Sequence, residues 1–528
     1  MVFLNLIDMK KVFSGILIFV LIQSISLKVS AQQADEWTKR LDLPGVTVTV
    51  FEQVTAGDYT VPGQRTPMKE MPAFVRVTMV SRPTPQSYIR IEVWLPQEWN
   101  GRYLGTGNGG GGGGIPYGSL ELGVRYGFAV ATTDIGTWPR TDSCIFKPER
   151  WADFGWRSTR EMTVAAKALI EKYYGRSPQY SYFFGSSTGG QQALMTAQRF
   201  PDDYDGILCG APANNRTHLY AMLLWNYRQL NRKPGMYLSK QQLEALTEAV
   251  LKRNAGKDGG HEGDKFLTDP RMATFNLDEM DFLTQDQKEA MKHIYAGPVN
   301  PSTGEPIFSP ITLGSEDIAV IGLIEQQDSL NDLGALYPFR WVFGFDFDPM
   351  QFDFDKDMAY VDSLLAPVVN ANNPDLTPFK AKGGKMLMYA GTADPLIPFQ
   401  DAILYYDRVI DHFGGLEKVQ DFYRFFVVPG LWHNNGGPGP CNIGQRITDL
   451  SLPSENNVFL TLIRWVEDGI TPERIIGSNW EETVQMPLYP YPKFPHLITG
   501  QKPGIPASYQ GVPHERGNVV IPASRYLK

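Results

Sequence analysis

Cysteine is scarce in this chain of 528 residues. There are three, Cys144, Cys209 and Cys441, with no C-x-x-C pair and no cysteine–histidine spacing of a zinc site. A disulfide-built scaffold is excluded, one bridge at most can form, and spacing selects no pair. Blocks of lysine and arginine are also missing, and the formal net charge is −8. That balance gives no electrostatic footprint for nucleic acid or for an anionic membrane surface. No G-K-[ST] follows any glycine-rich stretch, which removes a phosphate-binding P-loop. Beyond the first 31 residues there is no long apolar run, and no internal repeat is present.

The beginning of the chain is different. Lys10 and Lys11 precede an apolar run from Val12 to Ile25, and Val29-Ser30-Ala31 supplies small residues for a signal peptidase. The run is shorter than the roughly 20 residues of a spanning helix. The expectation is a cleaved signal peptide over 1–31, a secreted or periplasmic protein, and no membrane contact after cleavage. No cysteine follows to carry a lipid. An apolar content of 42% against 20% charged residues belongs to a globular protein.

After the leader, period-two runs and helical spacing alternate. "FVRVTMVS" (74–81), "YIRIEVWLP" (88–96) and "RYLGTG" (102–107) are strand-like, and "FAVATTD" (128–134) reads as a strand buried on both faces. "TREMTVAAKALIEKYYG" has helical spacing and stops at Gly175; "YSYFFG", the turn "GSSTGG", the helical "QQALMTAQRF" and the strand "DGILCGAPA" follow. This rhythm predicts a mostly parallel sheet covered by helices, an α/β fold. Roughly 214–366 breaks the rhythm with helical pieces, a Gly/Asp-rich loop and the aromatic run "PFRWVFGFDFDPMQFDFD". The alternation resumes with "KMLMYAG" and "FYRFFVVPG". The expected organisation is a core over 32–213 and 367–528 interrupted by a lid over 214–366, with the stretch from Met486 wrapping the surface as irregular chain.

The turn in "YFFGSSTGGQQ" holds G-x-S-x-G around Ser187. In a chain with 51 glycines a chance match is expected on the order of a few tenths of a time, so context must carry it. Here the pattern joins an apolar strand to a helix, the setting of a nucleophile elbow. A serine hydroxyl needs a base, and the base an orienting carboxylate, in the chain order Ser, Asp/Glu, His. Asp394 follows the strand "KMLMYAG" and His433 follows "FYRFFVVPG", so both fall at the carboxyl edge of the sheet. Asp401, the local rival to Asp394, lies too far into the next helix. The N–H of Thr188 is one candidate oxyanion donor. The other comes from "GTGNGGGGGG" (105–114), where Gly109 or Gly110 is expected to face the substrate.

With these pieces in place, the chain resembles the tannase and feruloyl esterase family of α/β hydrolases. The likeness is carried by "DFGWRSTREMT", "AKALIEKYYGRSPQYSYFFGSSTGGQQALMTAQRFPDDYDGILCGAPA", "PDLTPFKAKGGKMLMYAGTADPLIP" and "VQDFYRFFVVPGLWHNNGGPGP". It implies an α/β-hydrolase core with a lid after the elbow, and a serine esterase acting on small or polysaccharide-linked esters of hydroxylated aromatic acids. Terephthalate half-esters or acetyl esters are the alternative substrates, and a non-catalytic phenolic-glycan binder the alternative outside enzymes. Lid aromatics Phe339, Trp341, Phe343 and Phe345 are expected at the acid pocket or in the lid core. No cofactor is expected for catalysis. The family's lid often binds calcium, and "NAGKDGGHEGDKFLTDP" offers Asn254, Asp258, Asp264 and the Phe266 carbonyl as structural ligands, or is a solvated loop. The family's elbow reads G-C-S-x-G-G and its histidine loop H-C, a pair that forms a disulfide. Ser186 and Asn434 stand at those positions here, Met272 and Tyr489 replace two further family cysteines, and Arg160 stands where histidine is common. A hydrogen bond between Ser186 and Asn434 is the expected substitute for the bridge.

Overall fold

The computed structural model describes residues 32–318, 336–445, 453–515 and 517–528. The expected signal peptide, 1–31, lies outside the described residues. Fifteen strands are described. β1 (Val46–Val54) opens the chain's main sheet, and β2 (Gly57–Tyr59) with β3 (Met68–Met71) forms a separate two-stranded piece. β4 (Phe74–Ser81), β5 (Ile89–Pro96), β6 (Arg102–Thr106), β7 (Ala129–Thr133), β8 (Tyr180–Ser186), β9 (Gly206–Gly210), β10 (Lys385–Gly391) and β11 (Tyr423–Val428) complete the main sheet. Its order is β1-β4-β5-β7-β6-β8-β9-β10-β11. The first three strands and the β5–β7 pair are antiparallel, and from β7 onward every neighbouring pair is parallel.

The parallel half is built from runs with little polar character. β7, β9 and β11 are buried along their whole length, as strands covered on both faces must be. One core lies beneath the sheet against the helices Ser158–Tyr174, Thr188–Arg199 and Phe399–Phe413. A second lies on the other face under the helix Val458–Asp468, whose Asn457 side chain caps it by accepting from the Phe459 and Leu460 N–H groups. Gly175 ends its helix in the left-handed conformation, φ 73°.

Between β9 and β10 the described chain carries helices and no strand of the main sheet. These helices have a core of their own, running from Leu219 and Met222 to Met358 and Val361. Two of them start with full capping boxes, Ser239 with Gln242 and Thr284 with Gln287. The end of the chain departs from expectation. It is not irregular: β12 (Ile475–Ser478) pairs with β13 (Gln485–Leu488), and β14 (Lys493–Leu497) with β15 (Tyr509–Pro513). Phe494 and Tyr491 are buried there, so apolar burial, not turn composition, decided the local structure. Among the described residues no helix is long and apolar enough to cross a membrane.

Candidate active site

Three strand ends converge at the carboxyl edge. β8 stops at Ser186, and Ser187 holds φ 62° and ψ −118°, a conformation costly for a residue with a β-carbon. The elbow is pinned by main-chain bonds: the Ser187 N–H donates to the Gly210 carbonyl at 2.9 Å, and the Ser187 carbonyl accepts from Ala213 at 3.1 Å. The glycines on either side are sterically required. A β-carbon on Gly185 would lie 2.3 Å from the Gly189 oxygen, and one on Gly190 2.5 Å from the Gly210 oxygen. Ser187 is the N-cap of the helix Thr188–Arg199, so the helix dipole favours negative charge beside its hydroxyl.

β10 and β11 are parallel neighbours, which brings the loops after them together. The His433 Nδ1 lies 2.7 Å from the Asp394 Oδ2, and Asp394 is fully buried. The other carboxylate oxygen accepts from the Leu396 and Ile397 N–H groups at 2.9 and 3.0 Å, so its orientation is fixed by the chain itself. A carboxylate can only accept, so Nδ1 carries the proton and Nε2 presents a lone pair. Asp401, by contrast, sits inside the helix Phe399–Phe413, where burial raises its carboxyl to about 7.

The glycine loop after β6 meets the elbow directly. Gly189 N–H donates to the Asn108 carbonyl at 2.7 Å, and Asn108 N–H to Gln192 Oε1 at 2.8 Å. Asn108 Nδ2 donates to the Thr133 carbonyl at 2.6 Å. Thr188 Oγ1 donates to the Gly110 carbonyl at 2.5 Å. Among the described residues, the backbone N–H groups of Gly109, Gly110 and Thr188 donate to no protein acceptor. Gly109 and Gly110 are exposed, with open space where a β-carbon would stand. Such a set can hold an oxyanion.

The aromatic run of the helical region packs mainly on itself. Phe339 and Trp341 are completely buried, Phe339 against Phe347 and Phe352, and Trp341 against Phe154 and Tyr337 with its indole N–H on the Thr141 carbonyl. They form core, where burying two large rings stabilises most. Phe343 stacks on Phe347, and Phe345 is 67% exposed beneath Arg340. None of the four touches the glycine loop or the elbow in the contacts described. The aromatic that does is Tyr337: a β-carbon on Gly111 would sit 3.4 Å from its ring. Sequence reading missed it because it stands just ahead of the conspicuous run. Arg216, which bonds Thr188 Oγ1, was missed for want of any local signal.

Two further expectations are corrected. The Asn254 side chain is spent on protein: Nδ2 donates to the Val250 and Thr274 carbonyls, and Oδ1 accepts from Thr274 N–H. It clamps the end of its helix. Asp258 and Asp264 do come together, both with carboxyls raised by burial, beside Thr268, whose buried hydroxyl lacks a partner. Phe266 buries its ring against Met486 and Tyr509. The Ser186–Asn434 hydrogen bond does not form: Asn434 Oδ1 is buried without any partner, and the residue takes φ 66°. All three cysteines are buried free thiols. Arg160 forms an ion pair with Asp203 and covers the Phe200 ring.

A groove of about 680 Å³ runs beside the site, lined by Leu251, Lys252, Asp264, Ile318, Ala393 and Trp432 among others. It borders the chain neighbours of Asp394 and His433, not the three candidate residues themselves.

Comparison with known proteins bears on the family and the fold. The family model described as tannase and feruloyl esterase matches residues 74–511. An uncharacterized esterase of Xanthomonas campestris pv. campestris is 34% identical over 481 residues, covering 83% of each chain. A probable feruloyl esterase B of Emericella nidulans is 30% identical over 481 residues, 86% of this chain and 88% of its own. Among solved structures, feruloyl esterase B from Aspergillus oryzae superposes with a TM-score of 0.82 at 25% identity, covering 91% of this chain and all of that one.

Proposed function

The chain belongs to the tannase and feruloyl esterase family and is a carboxylic ester hydrolase, and from that premise we propose a serine esterase that cleaves esters of hydroxylated aromatic acids through an acyl-enzyme. The observation that carries the serine mechanism is the 2.7 Å contact of His433 Nδ1 with the buried Asp394. It leaves Nε2 as the base at the sheet edge that also bears Ser187. No hydrogen bond joins Ser187 Oγ and His433 Nε2 among the described residues, and such contacts commonly tighten only with substrate.

In the proposed reaction Nε2 takes the Ser187 proton as Oγ attacks the ester carbonyl. Asp394 holds the ring and stabilises the imidazolium. The N–H groups of Thr188 and of Gly109 or Gly110 receive the oxyanion, and the imidazolium then protonates the leaving alkoxide. Water repeats the sequence on the acyl-enzyme and releases the aromatic acid. The acyl preference rests on the feruloyl esterases among the relatives. A panel of methyl ferulate, methyl gallate, a terephthalate half-ester and an acetyl ester tests it against wild type and Ser187→Ala. Turnover led by the hydroxylated aromatic esters and abolished in the variant is expected. A preference for the other two corrects the substrate class, survival in Ser187→Ala removes the assigned nucleophile, and inactivity of folded wild type favours a binding protein.

We also propose export, on the basis of the leader at 1–31, and a structural calcium ion in the helical region. A buried carboxylate, a half-buried one and an orphaned hydroxyl, from Asp258, Asp264 and Thr268, are hard oxygen donors of the kind calcium takes. Phe266 would add its carbonyl; Asn254 would not take part. Among the described residues no group of three or more His, Cys, Asp or Glu is arranged for a metal, so main-chain and hydroxyl oxygens would have to complete the site. Bound there, the ion would fix the loop and take no part in ester cleavage.

A further inference from the structure

Arg216 is almost completely buried, and no carboxylate pairs with it among the described residues. Its Nε is without a hydrogen-bond partner. Nη2 donates to Thr188 Oγ1 at 3.0 Å and Nη1 to the Tyr337 hydroxyl at 2.8 Å. The guanidinium lies over the Phe154 ring, 4.9 Å from its centroid. A buried cation with only two neutral oxygen acceptors is expensive to keep. Packing alone does not account for it, because an apolar side chain would fill the same aromatic setting without that cost.

Both arms of Arg216 end on the candidate oxyanion site. One runs through Thr188, whose hydroxyl accepts from Arg216 and donates to the Gly110 carbonyl. The other runs through Tyr337, whose ring abuts Gly111. The glycine loop and the first residue of the elbow helix are thus held to a single charged group from behind. Negative charge develops in front of that group only during reaction. A positive charge that meets it there, without a carboxylate to neutralise it beforehand, favours the transition state over the ester.

We infer that Arg216 is a positioning residue for ester hydrolysis: it sets Thr188 and the Gly109–Gly110 loop in register and supplies positive potential behind the oxyanion. This rests on the serine-esterase reading above. The test is steady-state kinetics of Arg216→Met, Arg216→Lys and Thr188→Val on the fastest ester of the panel, with Ser187→Ala alongside. Arg216→Met should lower kcat about 10- to 100-fold with KM within about threefold, a split expected of an interaction realised in the transition state. An aryl boronic acid, which becomes tetrahedral on Ser187, should lose affinity by a similar factor, while the product acid should not. Arg216→Lys should recover part of kcat by restoring the charge. Thr188→Val cuts the first arm, so adding it to Arg216→Met should cost less than the product of the two single effects.

Should Arg216→Met fail to fold, Arg216→Ala assayed with added guanidinium replaces it; restored kcat supports the role, and no restoration in a folded Ala variant refutes it. Wild-type kcat in folded Arg216→Met, or equal losses in KM and product-acid binding, overturns the inference while Ser187→Ala remains dead. Activity in Ser187→Ala overturns the underlying mechanism instead.

Discussion

Replacing Asp394 by asparagine separates catalysis from stability. The carboxylate is fully buried and divides its work: Oδ1 accepts two main-chain N–H groups, at 2.9 and 3.0 Å, and Oδ2 faces the His433 Nδ1 at 2.7 Å. An asparagine can keep the first pair with its carbonyl oxygen, but its amide NH₂ then points at Nδ1. Two donors cannot share that contact, so the ring must carry its proton on Nε2 and accept at Nδ1. An Nε2–H cannot take a proton from Ser187. By analogy with other triads, kcat should fall about 10⁴-fold, equivalent to about 5 kcal/mol of barrier. Stability should change far less, by about 1–2 kcal/mol, because one charge-assisted hydrogen bond becomes neutral while the two main-chain bonds persist. The assay is kcat and KM on the best panel ester, with thermal unfolding of the same preparations. An Asp394→Asn variant that keeps kcat within tenfold of wild type would refute the tautomer argument, and with it the assignment of Asp394.

Burial raises the Asp401 carboxyl to about 7, with Arg408 opposing the rise. Between about pH 4 and pH 7 the folded protein therefore holds a proton the unfolded chain releases, and stability falls as pH rises through that window. Asp401→Asn should flatten that slope and gain up to about 4 kcal/mol at pH 8; denaturant titrations with unchanged slopes would count against it. Gly190→Ala places a β-carbon 2.5 Å from the Gly210 oxygen and 2.7 Å from the Pro212 Cα, both backbone, so a loss above about 2 kcal/mol is expected. An unshifted Tm would show that the elbow yields. Calcium at about 100 times its Kd should stabilise chelator-treated protein by about 2.7 kcal/mol, and Asp258→Asn should abolish the response; equal Tm with and without calcium would remove the ion. Because all three thiols are free and buried, a reductant should leave Tm unchanged, and a reductant-sensitive Tm would mean a bridge has formed.

Much of this architecture was legible because local and global signals agree. The apolar runs at 128–134 and 205–213 contain the fully buried strands β7 and β9, Gly175 took the left-handed cap, and both capping boxes stand at the starts of helical runs. Asp394 and His433 were placed by strand ends, and parallel pairing of β10 with β11 brings their loops together. Side chains whose partners are distant were not legible. Composition marks 338–355 as aromatic without saying which rings face inward, and the core claimed Phe339 and Trp341. Asn254 stands in the loop that the resemblance marks for calcium, yet its Oδ1 accepts from Thr274 N–H and its amide serves the Val250 and Thr274 carbonyls. Arg216 carries no motif; its meaning depends on Thr188 and Tyr337, 28 and 121 residues away.

The resemblance implies a disulfide where Ser186 and Asn434 stand here, and the lack of such a bridge bears on the unfolded chain more than on the site. A bridge closing so long a loop stabilises by about 5 kcal/mol, chiefly by restricting the denatured ensemble. The folded loops are tied by other means. Ser187 N–H holds the Gly210 carbonyl, and Ala211 N–H holds the Tyr389 carbonyl. Thr392 N–H reaches the Val428 carbonyl, while its hydroxyl accepts from Gly430 N–H at 2.8 Å. Behind His433, Gln445 Nε2 donates to the Cys441 carbonyl at 2.8 Å and the Asn434 carbonyl at 3.3 Å. The main-chain links join the ends of adjacent strands of one sheet, so the distance between elbow and histidine loop is set by strand spacing and not by any side-chain contact between Ser186 and Asn434. The unpaired Asn434 Oδ1 fits that view, since a tether at this point would not leave a buried carbonyl oxygen unused.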